Sequence, residues 1–389
     1  MDMKLKLNQN VVNAPMSGIR KIVDLVAQRQ DIIRFDLGEP DFRTPKHINE
    51  AAIKAINDGF SHYTVGPGIL ELRKAISEKL KTDNHLEYDP ETEICVTAGG
   101  VGAVYSALQA IVNPGDEVII PDPAWPVYLG ILAILEAKPV FVTIKEKDKF
   151  NMLPSEVEKK ITPKTKCIVI NSPSNPTGGI MSEENLRGIA EIAKRHEIFV
   201  FSDEAYEKLI LGGTKHLSIG SFPGMRNLTI SQFTLGKTYA MTGWRVGYCA
   251  AQKDIMAPIR KVSLYSITHV SSIVQKAALA AITGSQACVK AMVEEFRIRG
   301  KILADGLNAT GKITCMVPEG AIYLFANITS LNMKSEEFVL KMIAEAGVSA
   351  VHGSSFGPSG EGYVRFCFAN SQENIKKAVV KIHKFVNTL

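Results

Sequence analysis

The chain has 389 residues, of which 46% are hydrophobic and 22% charged, a balance that supports a large buried core and excludes disorder over most of its length. Its 45 basic and 40 acidic side chains leave a net charge of only +5, scattered along the sequence. That excludes a basic stripe for nucleic acid and leaves room only for a local positive patch suited to a small anion. Six cysteines (Cys95, Cys167, Cys249, Cys288, Cys315 and Cys367) form no C-x-x-C pair and suggest buried free thiols in a reducing compartment. The dispersed histidines suggest no metal site. The first residues, MDMKLKLNQN, lack the apolar core of a signal peptide. No apolar run reaches the roughly eighteen residues of a membrane span. The expected location is cytoplasmic, with neither membrane nor nucleic acid as a partner.

Taken in chain order, residues 93–97 (EICVT) predict a short strand, and a helix over 101–112 follows Gly99 and Gly100. Strands are expected at 117–120, 166–170 (KCIVI), 198–201 (IFVF) and 228–230. Between them, Ser182 opens a helix with Glu183 and Glu184 in its first turn, where acids suit the helix dipole. Apolar strands alternating with amphipathic helices predict an α/β fold with a parallel sheet covered on both faces. Ligands of such sheets bind beyond the carboxyl ends of the strands. Gly99, Gly100, Trp125, Asn175, Asp203 and Lys237 each follow a predicted strand, so five segments converge on one rim. Further on, a long helical stretch over about 271–307 leads to strands at 317–328 and 363–368. These predict a smaller α+β domain that also houses the start of the chain.

Several residues along that rim suit one chemistry. Lys237 stands among small residues (Gly236, Thr238, Ala240, Gly243); such a lysine is either a solvated charge or an amine that condenses with a carbonyl cofactor. Arg245, eight residues on in an otherwise apolar segment, needs an anionic partner such as a phosphate. Asp203, in FSDEAY, is either a helix cap or a carboxylate paired with a pyridinium nitrogen, with Tyr206 near enough to reach the ring hydroxyl. Asn175 lies in a Pro-Gly turn, NSPSNPTG. Gly99, Gly100 and Val101 offer backbone N–H groups at a helix start, a ready site for phosphate. Trp125, in PDPAWPVY, packs either in the core or on a flat ring. Arg365, in GYVRFCFA, is either an edge-strand charge or a clamp for a carboxylate.

Together FDLGEPDFRTP, HYTVGPGILELR, VTAGG, PDPAWPVY, NSPSNPTG, SDEAY, the Lys237 segment and SGEGYVRFCFA resemble the class I/II aminotransferases of the aspartate aminotransferase fold, along essentially the whole chain. The resemblance implies a large domain (46–284) with a mostly parallel seven-stranded sheet flanked by helices. It also implies a small α+β domain built from both ends (1–45 and 285–389). The implied cofactor is pyridoxal 5′-phosphate, bound covalently by Lys237, which then serves as proton carrier. Asp203 would pair with the ring nitrogen, Tyr206 and Asn175 with the ring hydroxyl, and Trp125 would stack on the ring. Gly99, Gly100, Val101, Thr234 and Arg245 would cradle the phosphate. Tyr63 would reach the phosphate of a neighbouring subunit, making a homodimer with shared sites. Arg365, Asn175, Trp125 and the Gly38 backbone would bind the substrate. Gly236 and Thr234 stand where serine is common in the family. Val101 offers only its backbone N–H, where relatives often carry a hydroxyl or lysine. The implied reaction is amino transfer between an L-amino acid and 2-oxoglutarate, with aspartate favoured. Aromatic and alanine donors are alternatives, as is a lyase on the same fold. Arg20 is a candidate partner for a distal carboxylate.

Overall fold

The computed structural model describes residues 7–389. Its strands are β1 (Ile33–Arg34), β2 (Ile94–Thr97), β3 (Glu117–Asp122), β4 (Lys138–Thr143), β5 (Thr165–Asn171), β6 (Phe199–Asp203), β7 (Thr229–Thr234), β8 (Gly247–Ala250), β9 (Tyr323–Asn327), β10 (Val348–Ser349), β11 (Val351–His352) and β12 (Tyr363–Cys367). Seven of them form one sheet in the order β2-β8-β7-β6-β5-β3-β4. All neighbours are parallel except β8, which runs antiparallel to both β2 and β7. Because successive side chains on a strand alternate between faces, each face has its own core. On one face the helices Gly99–Ile111, Val127–Ile134 and Lys253–Ile267 pack on Cys95, Val118, Val169, Phe201 and Ile230. On the other, Glu183–His196 covers Ile119, Ile168 and Val200, while Leu70–Lys79 and Ser272–Thr283 cover Ile94, Val96 and Phe233.

The second body is built around a three-stranded antiparallel sheet, β11-β12-β9, with a two-stranded parallel pair, β1-β10, beside it. Ile22, Val26 and Phe35 from the start of the chain share one core with Phe296, Leu303, Phe366, Ile382 and Val386 from its end.

The expected helix at Ser182 is present, and the Ser182 side chain accepts from the Asn185 N–H. Three expectations need correction. The stretch 271–307 is two helices, Ser272–Thr283 and Ala287–Asn308, separated at Gly284, whose backbone is extended. The strand expected from 317 begins at Tyr323, because the Glu319 and Gly320 N–H groups turn back to the Gly178 carbonyl. All six thiols are free, but Cys288 and Cys315 are only partly buried.

Candidate active site

The carboxyl ends of β5, β6 and β7 open into a cavity of about 220 Å³. Gly38, Gly100, Val101, Trp125, Asn175, Asp203, Tyr206, Thr234, Lys237, Arg245 and Arg365, eleven of the sequence-chosen residues, line it together. Gly99 lies just behind them. Its φ of +69° suits glycine, and a Cβ there would stand 2.8 Å from Arg245 Nη2. The helix Gly99–Ile111 thus starts two residues earlier than its apolar pattern suggests, which puts Gly100 and Val101 in the first turn with N–H groups directed outward.

Lys237 sits in a short helical turn after β7, and its amine donates to the Gly38 carbonyl. Burial pulls that amine down from the ordinary 10.5 to about 8, so a useful fraction is uncharged and nucleophilic near neutral pH. Asp203 is the last residue of β6 and only 2% exposed. Burial pushes its carboxyl up to about 6, against the Tyr128 hydroxyl and the Ala205 N–H that favour the charged form. A carboxylate held there gains most from a cationic neighbour. Tyr206 hydrogen-bonds Tyr323 through the two hydroxyls at 2.8 Å, and burial raises both phenols.

Arg365 lies on the central strand of the small sheet, not an edge, and is 1% exposed. It donates to Asn175 Oδ1 at 3.1 Å and to the Asp36 carbonyl at 2.7 Å. Its guanidinium stacks 4.5 Å from the Tyr323 ring centroid and 5.0 Å from that of Phe356. Its Nε has no partner. A planar cation held this firmly, with its Nε–H still unpaired, is suited to a carboxylate.

Two chosen residues lie elsewhere. Tyr63 is 88% exposed and borders a separate hollow with His269 and Ser271. Arg20 is also outside the cavity: the helix Gly18–Val26 turns Ile22 and Val26 inward, its neighbour Ile19 reaches the lining, and Arg20 pairs with Asp24 one turn on. Helical spacing places i and i+4 on one face, here the outer one, so Arg20 is not positioned to meet a distal carboxylate. Sequence reading also missed Asn171, Gln232 and Tyr323 in the lining and Tyr128 behind Asp203. Gln232 had a usable signal, since it stands two residues before Thr234 on a strand and therefore shares its face.

These groups fit pyridoxal phosphate. Trp125 and Ala205 both line the cavity, and an indole there offers a face on which a flat ring can stack. The orphaned Gln232 amide, the unpaired Arg365 Nε and the buried Asp203, hydrogen-bonded but without a cationic partner among the described residues, are polar groups suited to a ligand.

Fold and lining together define an amino-group transferase of the aspartate aminotransferase type. The model of the family "Aminotransferase class I and II" matches residues 30–382, and the chain belongs to that family of pyridoxal phosphate enzymes. It is 41% identical over 380 residues to a Bacillus subtilis protein described as a probable N-acetyl-LL-diaminopimelate aminotransferase, covering 98% of this chain and 95% of that one. It is 40% identical over 370 residues to the aspartate aminotransferase of Pyrococcus abyssi, covering 95% of each chain. The solved Thermus thermophilus aspartate aminotransferase with maleate superposes with a TM-score of 0.93 at 35% identity, covering 98% of this chain and 100% of that one. No helix of the described residues is long and apolar enough to cross a membrane.

Proposed function

We propose that this aminotransferase takes the amino group of L-aspartate and passes it to 2-oxoglutarate, each in its own half-reaction at the same site. The observation that carries an α-amino acid substrate is Arg365: a buried guanidinium with Nε unpaired, lining the same cavity as Lys237. The choice of aspartate rests on whole-chain likeness to the Pyrococcus abyssi enzyme.

When bound, pyridoxal phosphate supplies a carbonyl for amines and a ring that accepts electron density from the substrate α-carbon. In this reading the residues divide the remaining work. Lys237 would hold the cofactor through its amine and, once freed by substrate, would serve as the base and acid that carry the α-proton. Asp203 keeps the ring nitrogen protonated by staying charged beside it. Tyr206 and Asn175 reach the ring hydroxyl, and Trp125 and Ala205 flank the ring and keep water out. Gly99, Gly100 and Val101 offer N–H groups, Thr234 its hydroxyl and Arg245 its guanidinium to the phosphate. Arg365, Asn175 and the Gly38 backbone orient the substrate α-carboxylate. We further assign the cavity to the boundary between bodies 46–284 and 1–45 plus 285–389, of which residues 1–6 lie outside the described structure. Tyr63, exposed on its own chain, would contact the phosphate held by a second copy in a homodimer.

A second reading, an aromatic donor, is favoured by Ile19 and Val101, which make part of the lining apolar. The test is to load the protein with pyridoxal phosphate and titrate aspartate, following the visible absorption of the lysine-bound cofactor. Loss of that band, with turnover that requires 2-oxoglutarate, supports the proposal and separates it from a lyase. A band that ignores aspartate but responds to phenylalanine supports the second reading. No band at all removes the assignment of Lys237.

A further inference from the structure

Gln232 stands out among the described buried residues: it is 1% exposed, and neither Nε2 nor Oε1 of its carboxamide has a hydrogen-bond partner. Buried polar groups in native proteins are almost always paired, and a doubly orphaned one calls for an explanation. Its position supplies one. Gln232 pairs with Asp203 across β6 and β7, and it lines the cavity together with Asp203 and Thr234. Its Nε2 lies beside the first turn of the helix Gly99–Ile111; a Cβ at Gly100 would stand 2.9 Å from it. The nearby carboxylate is already engaged, since Asp203 accepts from Tyr128 and from the Ala205 N–H. The donor therefore lies beside the helix N-terminus, in the lining it shares with Thr234, where an anion with several acceptor oxygens is expected.

We propose that Gln232 is a further cofactor-positioning residue whose Nε2 donates to the phosphate of pyridoxal phosphate. This rests on the cofactor reading above. A phosphate monoester has three acceptor oxygens, and a neutral donor adds a contact without adding charge to a cradle that already holds Arg245. The same geometry brings the carboxamide close to Gly100, where a Cβ would stand 2.9 Å from Nε2 and oblige it to shift.

The experiment compares the wild type with Gln232→Met, which keeps the length and removes both polar atoms, and with Gln232→Glu. Cofactor-free protein is titrated with pyridoxal phosphate and, separately, with pyridoxal, which lacks the phosphate; quenching of tryptophan fluorescence reports binding. For Gln232→Met the expected result is a Kd for pyridoxal phosphate about 10- to 100-fold weaker, the range for a hydrogen bond to a charged group, with pyridoxal affinity changed by less than about twofold. The cofactor-free Met variant should melt no lower than the wild type, since an orphaned amide has been replaced by an apolar group of similar shape. Gln232→Glu should weaken pyridoxal phosphate further still, because it sets a carboxylate beside the phosphate, and it reports even where the Met variant folds poorly. Equal weakening for both ligands, or an unchanged Kd for pyridoxal phosphate, overturns the proposal. Failure of the wild type to bind pyridoxal phosphate would instead overturn the cofactor reading itself.

Discussion

Asp203 and Glu204 follow one another at the end of β6, 2% and 1% exposed, yet they belong to opposite faces of the sheet and to two different kinds of polar cluster. Glu204 faces a closed network. It accepts from Ser218 at 2.5 Å and Ser202 at 2.9 Å and meets His216 Nε2 at 2.9 Å. Next to it, Glu207 accepts from Lys79 and, at 2.7 Å, from Asn84, which also donates to Ser218. Among these bonded groups His216 Nδ1 is left over, and the hydroxyls of Thr229 and Ser231 on the same side of the sheet are also without a partner. On the Asp203 side, the Gln232 carboxamide lacks any partner and Arg365 Nε is unpaired. The contrast separates two uses of buried polarity: a cluster whose bonds close on itself holds the fold, whereas one with open valences holds a ligand.

The largest effect should come from the open side. Lys237→Ala removes the group that attaches the cofactor and moves the proton, and single-turnover reaction with aspartate should slow by about 10⁴-fold or more. Its thermal stability should stay close to that of the wild type, because a buried amine is lost rather than a packed core. The matching change on the closed side is Glu207→Ala. It leaves Lys79, whose side chain is 12% exposed, without its carboxylate, and should cost about 3–5 kcal/mol in chemical denaturation. The folded fraction should still bind pyridoxal phosphate normally; a parallel loss of affinity would erase the distinction between the faces. Asp203→Asn should lower kcat/KM by about 10²- to 10³-fold, the scale for losing one preorganised electrostatic group, with only a small change in substrate KM.

Two pH effects sharpen the comparison further. An amine attacks only when neutral, so the rate of cofactor capture by cofactor-free protein should rise with pH and level off above about 8, the value to which burial brings Lys237. Stopped-flow absorbance would read it, and a profile still climbing at pH 10 would contradict the assignment. The smallest effect concerns stability. The Asp203 carboxyl is raised from 3.8 to about 6 in the folded chain, so between those pH values the folded state holds a proton that the unfolded state has released. Its contribution is fully present below about pH 4 and is lost as pH rises through about 6. Melting temperatures of the cofactor-free wild type, minus those of Asp203→Asn, should fall across that window.

Much of this was visible in the residues alone, for identifiable reasons. KCIVI and IFVF are too short and too apolar to be anything but strands of a covered sheet, and both are. Their ends located Asp203 and Asn175 at the cavity because such sheets place ligands at one edge. What the sequence hid depends on tertiary geometry. Strand alternation turns Glu204 away from Asp203, but nothing local shows how its bonds close, since two of its three partners come from 216 and 218. Val317 looked strand-like, but the turn at Glu319 and Gly320 is fixed by the distant Gly178 carbonyl. Arg20 was chosen for its position in the chain, and only the helix register shows that it faces Asp24.

The antiparallel β8 has a consequence of its own. Because the chain turns back from β7 into β8 without crossing the sheet, Thr234, Lys237 and Arg245 ride on a single span clamped at both ends by backbone ladders. The reach between amine and guanidinium is then governed by covalent connectivity, as the length of a bridge is set by its piers. One residue inserted between Tyr239 and Gly243 would slide two ligand-facing groups out of alignment while both strands stayed zipped. The resulting protein would lose its grip on the cofactor, and some stability with it, because the buried Met241 lies in the altered span.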